Sequence, residues 1–151
     1  METLGMPVKP GLWNFLQVLE QFRLPTAVAT SSNAEYAEFS LRAAGLEGRF
    51  SCIVSGDQVK RGKPAPDIFL EAARRLGIEP GFCIVLEDSD AGIQAAAEAG
   101  IPALFIPDLK PPSVKTARLA FRILPSLDEA AEFVKECLGN TLTPAGGQQL
   151  S

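Results

Sequence analysis

The sequence contains no histidine. That absence excludes Ser-His-Asp and Cys-His catalysis, a histidine general base and every metal site with an imidazole ligand. Cysteine is scarce as well: Cys52, Cys83 and Cys137 are an odd number, and no two have Cys-x-x-Cys spacing. A disulfide framework is not expected, and a reducing compartment is, because Cys52 and Cys83 lie in apolar runs where a thiol packs as a small hydrophobe. No apolar run reaches the roughly 18 residues that a membrane span requires. The N-terminal stretch Met1 to Met6 lacks the basic-then-apolar order of a signal peptide. A soluble, cytoplasmic protein with no membrane partner is the expectation. Positive charge is not in excess either: 14 Lys and Arg face 18 Asp and Glu, for a net charge of −4. A surface that neutralises nucleic-acid phosphates needs clustered Lys and Arg, so no nucleic-acid partner is expected. The chemistry left available is that of carboxylates, hydroxyls, lysine, backbone N–H groups and a hard cation.

What is present reads as one globular domain. The chain has 151 residues, of which 46% are hydrophobic and 21% charged, a size and composition that support a single core. Apolar residues recur at helical spacing from Gly11 to Phe22 (Leu12, Phe15, Leu16, Leu19, Phe22). Short apolar runs then alternate with helical segments. Strands are expected at Thr26 to Ala29, Phe50 to Val54, Phe82 to Leu86 and Ala103 to Ile106, with a short edge strand at Phe121 to Leu124. Helices are expected at Ala34 to Ala44, Ile68 to Leu76, Ala91 to Ala99 and Leu127 to Leu138, three of them stopped by Gly45, Gly77 and Gly100. This alternation predicts an α/β fold, a Rossmann-like parallel sheet sandwiched by helices. Residues 1–138 are expected to form the core domain, and 139–151, rich in Gly, Thr, Gln and Ser, a disordered tail.

In open parallel sheets, polar function collects at the carboxyl ends of the strands. That rule selects Thr30-Ser31-Ser32-Asn33 after the first strand, Lys63 in the loop after the second, and Glu87-Asp88 after the third. A hydroxyl beside helix N-terminal N–H groups, together with a lysine ammonium, suits a phosphate. Two adjacent carboxylates at a strand end suit a hard, oxygen-seeking cation, and Mg²⁺ is the usual companion of phosphate. Each element also has a plain structural role open to it. Ser31, Ser32 or Asn33 can cap a helix, Asp88 can do the same for the next one, and Lys63 can sit in solvent.

Three segments carry a family resemblance: Val28-Ala29-Thr30-Ser31-Ser32, Gly62-Lys63-Pro64-Ala65-Pro66-Asp67, and Val85-Leu86-Glu87-Asp88-Ser89-Asp90-Ala91-Gly92. Together they resemble the second, third and fourth motifs of the haloacid dehalogenase-like hydrolases, in particular the phosphatases and β-phosphoglucomutases. The resemblance extends from residue 8 to about residue 135. It implies that Thr30 and the Ser31 amide bind the transferring phosphoryl group, and that Lys63 neutralises it and orients the nucleophile. It further implies that Asp88, aided by Glu87, holds Mg²⁺, with a small phosphorylated metabolite as substrate.

The family's first motif, an Asp-x-Asp whose first carboxylate is the nucleophile, has no counterpart before Thr30, where the acidic residues are Glu2 and Glu20. Asp88-Ser89-Asp90 has that spelling, but it follows the Lys63 segment and belongs to the fourth motif. The expectation is a core without its first strand and cap, and probing for turnover should find the chain inactive alone. Its two inner sheet edges must close up, pair with another chain or fragment, or leave a water-filled groove, since buried unpaired backbone groups cost about 1–3 kcal/mol each. Two functions compete: the core of a Mg²⁺-dependent phosphatase or phosphosugar mutase-like hydrolase, and a non-catalytic phosphate-binding remnant or truncated structural module. A signalling receiver domain uses similar groups, but its carboxylates precede its Thr and Lys, the reverse of the order here.

Overall fold

The computed structural model describes residues 9–143, and side chains through residue 139. The chain divides into two compact units, one formed by residues 25–124 and the other by 9–24 with 125–143 among the described residues.

In the first unit, strand β1 (Ala27–Thr30) pairs in parallel with β2 (Cys52–Ser55), Ala27 facing Cys52 and Thr30 facing Ser55. Helix α2 (Ala34–Ala43) makes the crossover that parallel pairing demands. After β2 the chain passes through a 3₁₀ turn, Gly56–Gln58, and a long polar loop into α3 (Asp67–Leu76). Strand β3 (Val85–Glu87), α4 (Asp90–Ala99), β4 (Ala103–Phe105), α5 (Val114–Leu119) and β5 (Arg122–Ile123) follow. Helices α3 and α4 end on Gly77 and Gly100, both left-handed, as the sequence indicated.

The strands form two sheets, β1-β2 and β3-β4-β5, all parallel. The inner edges have not closed up: β1 and β3 do not hydrogen-bond to one another among the described residues. A shared core holds the sheets together instead. Val54 of β2, Ile68 and Phe69 of α3, Ile93 of α4 and Phe105 of β4 belong to one buried cluster, against which Ala27 and Ala29 of β1 pack.

Three expectations need correction. Phe82 to Ile84 is not strand; Pro80–Phe82 is a 3₁₀ turn, and Phe82 is 86% exposed rather than buried. Proline lacks the N–H a ladder requires, which favours a turn over a strand start. Helix α5 escaped the sequence reading because Thr116 is its one buried residue, so no apolar stripe marks it. Third, the closing helix α6 runs Leu127–Thr143, so residues 139–143 are helical; the rest of the expected tail, 144–151, lies outside the described residues.

In the second unit, α1 (Leu12–Gln21) packs against α6. Phe15, Leu16 and Val18 on α1 are buried, as are Leu127, Ala130, Ala131 and Val134 on α6. The Asn14 side-chain amide donates to Asp128 Oδ1 at 3.2 Å, tying the start of α1 to the start of α6.

Candidate functional site

Thr30 is the last residue of β1, which puts its side chain at the carboxyl end of the sheet. Its Oγ1 accepts a hydrogen bond from the Ser32 N–H at 3.2 Å, leaving the hydroxyl proton to be donated elsewhere. Of the three candidate caps, Asn33 is the one used: its Oδ1 accepts from the Tyr36 N–H at 2.8 Å. Ser31 and Ser32 are therefore not caps. The Ala34 N–H is taken as well, by both carboxylate oxygens of Asp57 at 3.2 and 3.3 Å. This corrects one part of the sequence argument. The first amides of α2 at Ala34 and Tyr36 already have side-chain acceptors, so an anion here would rely on the Thr30–Ser32 loop rather than on them.

Lys63 lies in the loop between β2 and α3, and its Nζ donates to Glu87 Oε2 at 2.5 Å. Both side chains are nearly buried, with exposures of 12% and 10%. The ammonium also lies 5.2 Å from the centre of the Phe69 ring, a cation–π distance. The other oxygen of Glu87 accepts from the Asp88 N–H, the Ser89 N–H and the Ser89 hydroxyl, at 3.2, 3.3 and 3.0 Å. Ser89 is itself the N-cap of α4, accepting from the Gly92 N–H at 3.0 Å. A Cβ at position 92 would fall inside the Glu87 side chain, so a glycine is required for this carboxylate to lie against α4.

The two acidic candidates thus diverge. Both oxygens of Glu87 accept hydrogen bonds, Oε2 from Lys63 and Oε1 from the turn into α4. Asp88 is exposed and is not the cap, since Ser89 fills that position. Its carboxylate has no hydrogen bond or ion pair among the described residues, and it suits a hard cation as a single oxygen ligand. No group of three or more acidic or Cys residues able to hold a metal exists among the described residues.

The structure joins Lys63, Glu87 and Asp88 in one neighbourhood at the end of β3. Among the described residues, no hydrogen bond links Thr30 to that group. The ties made by Ser55, Asp57, Ser89 and Gly92 were missed by sequence reasoning. Ser89 and Gly92 lie within the third quoted segment and had a legible signal, a serine three residues before a helical glycine. Asp57 had none, because its contact with Ala34 spans 23 residues.

Residues 2–100 match the family model described as haloacid dehalogenase-like hydrolase. The chain belongs to the haloacid dehalogenase-like hydrolases. Its similarities fall in the phosphatase and β-phosphoglucomutase branch of that family. Fructose-1-phosphate phosphatase YqaB of Escherichia coli is 49% identical over 82 residues, covering 54% of this chain and 44% of that protein. The crystal structure of CbbY from Rhodobacter sphaeroides in complex with phosphate superposes with a TM-score of 0.71 at 30% identity, covering 80% of this chain and 55% of that one. The β-phosphoglucomutase of Clostridium difficile shares the fold, with a TM-score of 0.75 at 23% identity over 90% of this chain and 58% of that one. The chain spans about half the length of the curated relatives it matches.

Proposed function

We propose that this haloacid dehalogenase-like chain is the phosphoryl-binding core of a Mg²⁺-dependent phosphatase or phosphosugar mutase-like hydrolase acting on a small phosphorylated metabolite. The observation that carries the proposal is the nearly buried Lys63 ammonium, fixed at the strand ends by Glu87, which the exposed Asp88 follows in the chain. A lysine held this way is a preorganised positive charge in a poorly solvated place, where it stabilises an anion more than it would in water. Thr30 and the Ser31 amide are the proposed phosphoryl donors, and Asp88 the proposed metal ligand. Glu87 positions Lys63. A bound Mg²⁺ would supply neutralisation of phosphoryl charge. The activity named for the Escherichia coli relative, on fructose 1-phosphate, supports a phosphorylated sugar as the substrate class.

Covalent transfer needs an activated carboxylate within reach of phosphorus. Among the described residues no acidic residue follows a strand before Thr30, and Glu87 is paired with Lys63. The 151-residue chain alone is therefore expected to bind phosphate without turning over at about the 1–10³ s⁻¹ of ordinary enzymes. The test screens the purified chain with Mg²⁺ against sugar phosphates and an aryl phosphate, and follows inorganic phosphate binding by ³¹P NMR. Binding lost in Lys63→Ala supports the proposal. Absence of phosphate binding by the folded chain overturns it, and full turnover overturns the expectation of inactivity.

A further inference from the structure

The proposed phosphoryl donors are Thr30, the last residue of β1, and the exposed Ser31 after it, and a donor is useful only where its direction is fixed before the anion arrives. What fixes this loop is on the neighbouring strand. Three consecutive residues at the end of β2, Ser55, Gly56 and Asp57, hold it from both ends. The Gly56 N–H donates to the Ser32 carbonyl at 2.8 Å. A Cβ at position 56 would be pressed into the Ser31 carbonyl, so the close approach of the two backbones depends on glycine. Asp57 reaches the far side of the loop and accepts from the Ala34 N–H with both oxygens. Its carboxylate is oriented in turn by Ser55, whose fully buried hydroxyl donates to Oδ1 at 2.6 Å. The Ser55 N–H donates to the side-chain oxygen of Gln58 at 3.2 Å, which closes the turn.

We propose that the Ser55-Gly56-Asp57 turn is the positioning element of the phosphoryl-binding loop, with Asp57 and Gly56 acting through the backbone of Ser31 to Ala34 rather than by touching the ligand. This inference rests on the proposed phosphoryl binding at Thr30 and Ser31. The turn and loop are brought side by side by the Thr30–Ser55 register, so the end of β2 serves as the template for the end of β1. The Asp57 carboxylate also occupies the positive end of α2, where a negative charge is stabilised. An anion in the loop therefore does not need to displace a disordered helix start; that start is already satisfied.

The test compares the full chain with Gly56→Ala, Asp57→Ala, Asp57→Asn and Ser113→Ala. Ser113, the N-cap of α5, is a control that weakens the fold without touching the loop. Urea midpoints, amide hydrogen exchange and titration with inorganic phosphate are measured on each. In Asp57→Ala the Gly56 and Ser32 N–H groups, which do not contact Asp57, are expected to lose protection at least tenfold. Phosphate affinity is expected to fall about tenfold or more in both Gly56→Ala and Asp57→Ala. Asp57→Asn, which keeps an acceptor for Ala34, recovers part of both losses, and Ser113→Ala shows neither. Unchanged loop protection in Asp57→Ala overturns the inference, as does a Ser113→Ala variant that reproduces the losses. If Gly56→Ala does not fold, the two Asp57 variants decide the matter. A wild-type chain that binds no phosphate, while its loop still loosens in the Asp57 variants, retains the positioning role and refutes phosphoryl binding. Phosphate bound equally by all variants retains the binding and refutes the positioning role.

Discussion

Lys63 and Glu87 form a pair whose value lies in being complete. Each charge is about nine-tenths removed from solvent, and desolvation of that order is offset only while the partner and its hydrogen bonds are in place. Lys63→Met is expected to cost about 3–5 kcal/mol by leaving Glu87 buried and uncompensated. Adding Glu87→Gln to that variant should return most of the loss, because the stranded charge is then gone. Urea unfolding of the single and double variants checks this, and a double variant no more stable than Lys63→Met would refute it. Gly92 belongs to the same arrangement, since an added methyl at 92 meets Glu87 directly. Gly92→Ala is expected to destabilise the fold by about 1–3 kcal/mol, the range for overpacking a fixed contact, and to shift the Lys63 side-chain resonances in NMR.

At the scale of elements, helix starts in this chain are held by carboxylates from outside the helix as well as by their own caps. Asp57 holds α2, and Asp90, the first residue of α4, accepts from the Ser113 N–H at 3.3 Å and from the Thr116 hydroxyl at the start of α5. Hydrogen bonds from Ser55 and then Ala34 lower the Asp57 carboxyl below its ordinary 3.8. Bonds from Thr116 and then Ser113 do the same for Asp90. A carboxyl depressed on folding stabilises the native state fully above its unfolded value and loses that contribution as pH falls through the folded one. Both contributions should therefore be present at pH 7 and decline below about pH 4. Asp57→Asn is expected to lower the urea midpoint at pH 7, with the gap to wild type closing as the pH falls from 4 toward 2. A gap independent of pH would show that the charge of Asp57 contributes nothing. In α3, hydrogen bonds from Arg74 and then Arg75 lower Glu71 to about 2, so this helix adds to the same acid sensitivity.

For the whole molecule, the two-sheet arrangement places the candidate groups on different sheets: Thr30 ends β1, while Glu87 ends β3. Lys63 leaves the β1-β2 side and is anchored on the β3 side. Divalent-cation binding tests how far this assembly goes. With no group of three or more metal-ligating side chains among the described residues, Mg²⁺ is expected to bind with a dissociation constant of about 1 mM or weaker, since too few protein oxygens complete the octahedron. Calorimetry should show that weak signal disappear in Asp88→Asn and persist in Asp90→Asn. Micromolar affinity abolished by Asp88→Asn would mean that further ligands converge on the ion.

The sequence by itself determined the alternation of parallel strands and helices, because strand burial and helix stops depend on local residue order: apolar runs such as Cys52–Ser55, and Gly77 and Gly100 at helix ends. It also determined the family, through short motifs read without any knowledge of contacts. Element limits were less legible where no apolar stripe exists, as in α5, or where proline turned an apolar run outward, as at Phe82. The tertiary structure decided what each site residue is free to do. Asn33 and Ser89, not Ser31 or Asp88, became the caps. Glu87 was committed to Lys63 across 24 residues, and Asp57 to Ala34 across 23. Sequence names the groups that can donate or accept, but a carboxylate's availability depends on which donors the folded chain brings to it, and those donors come from other strands.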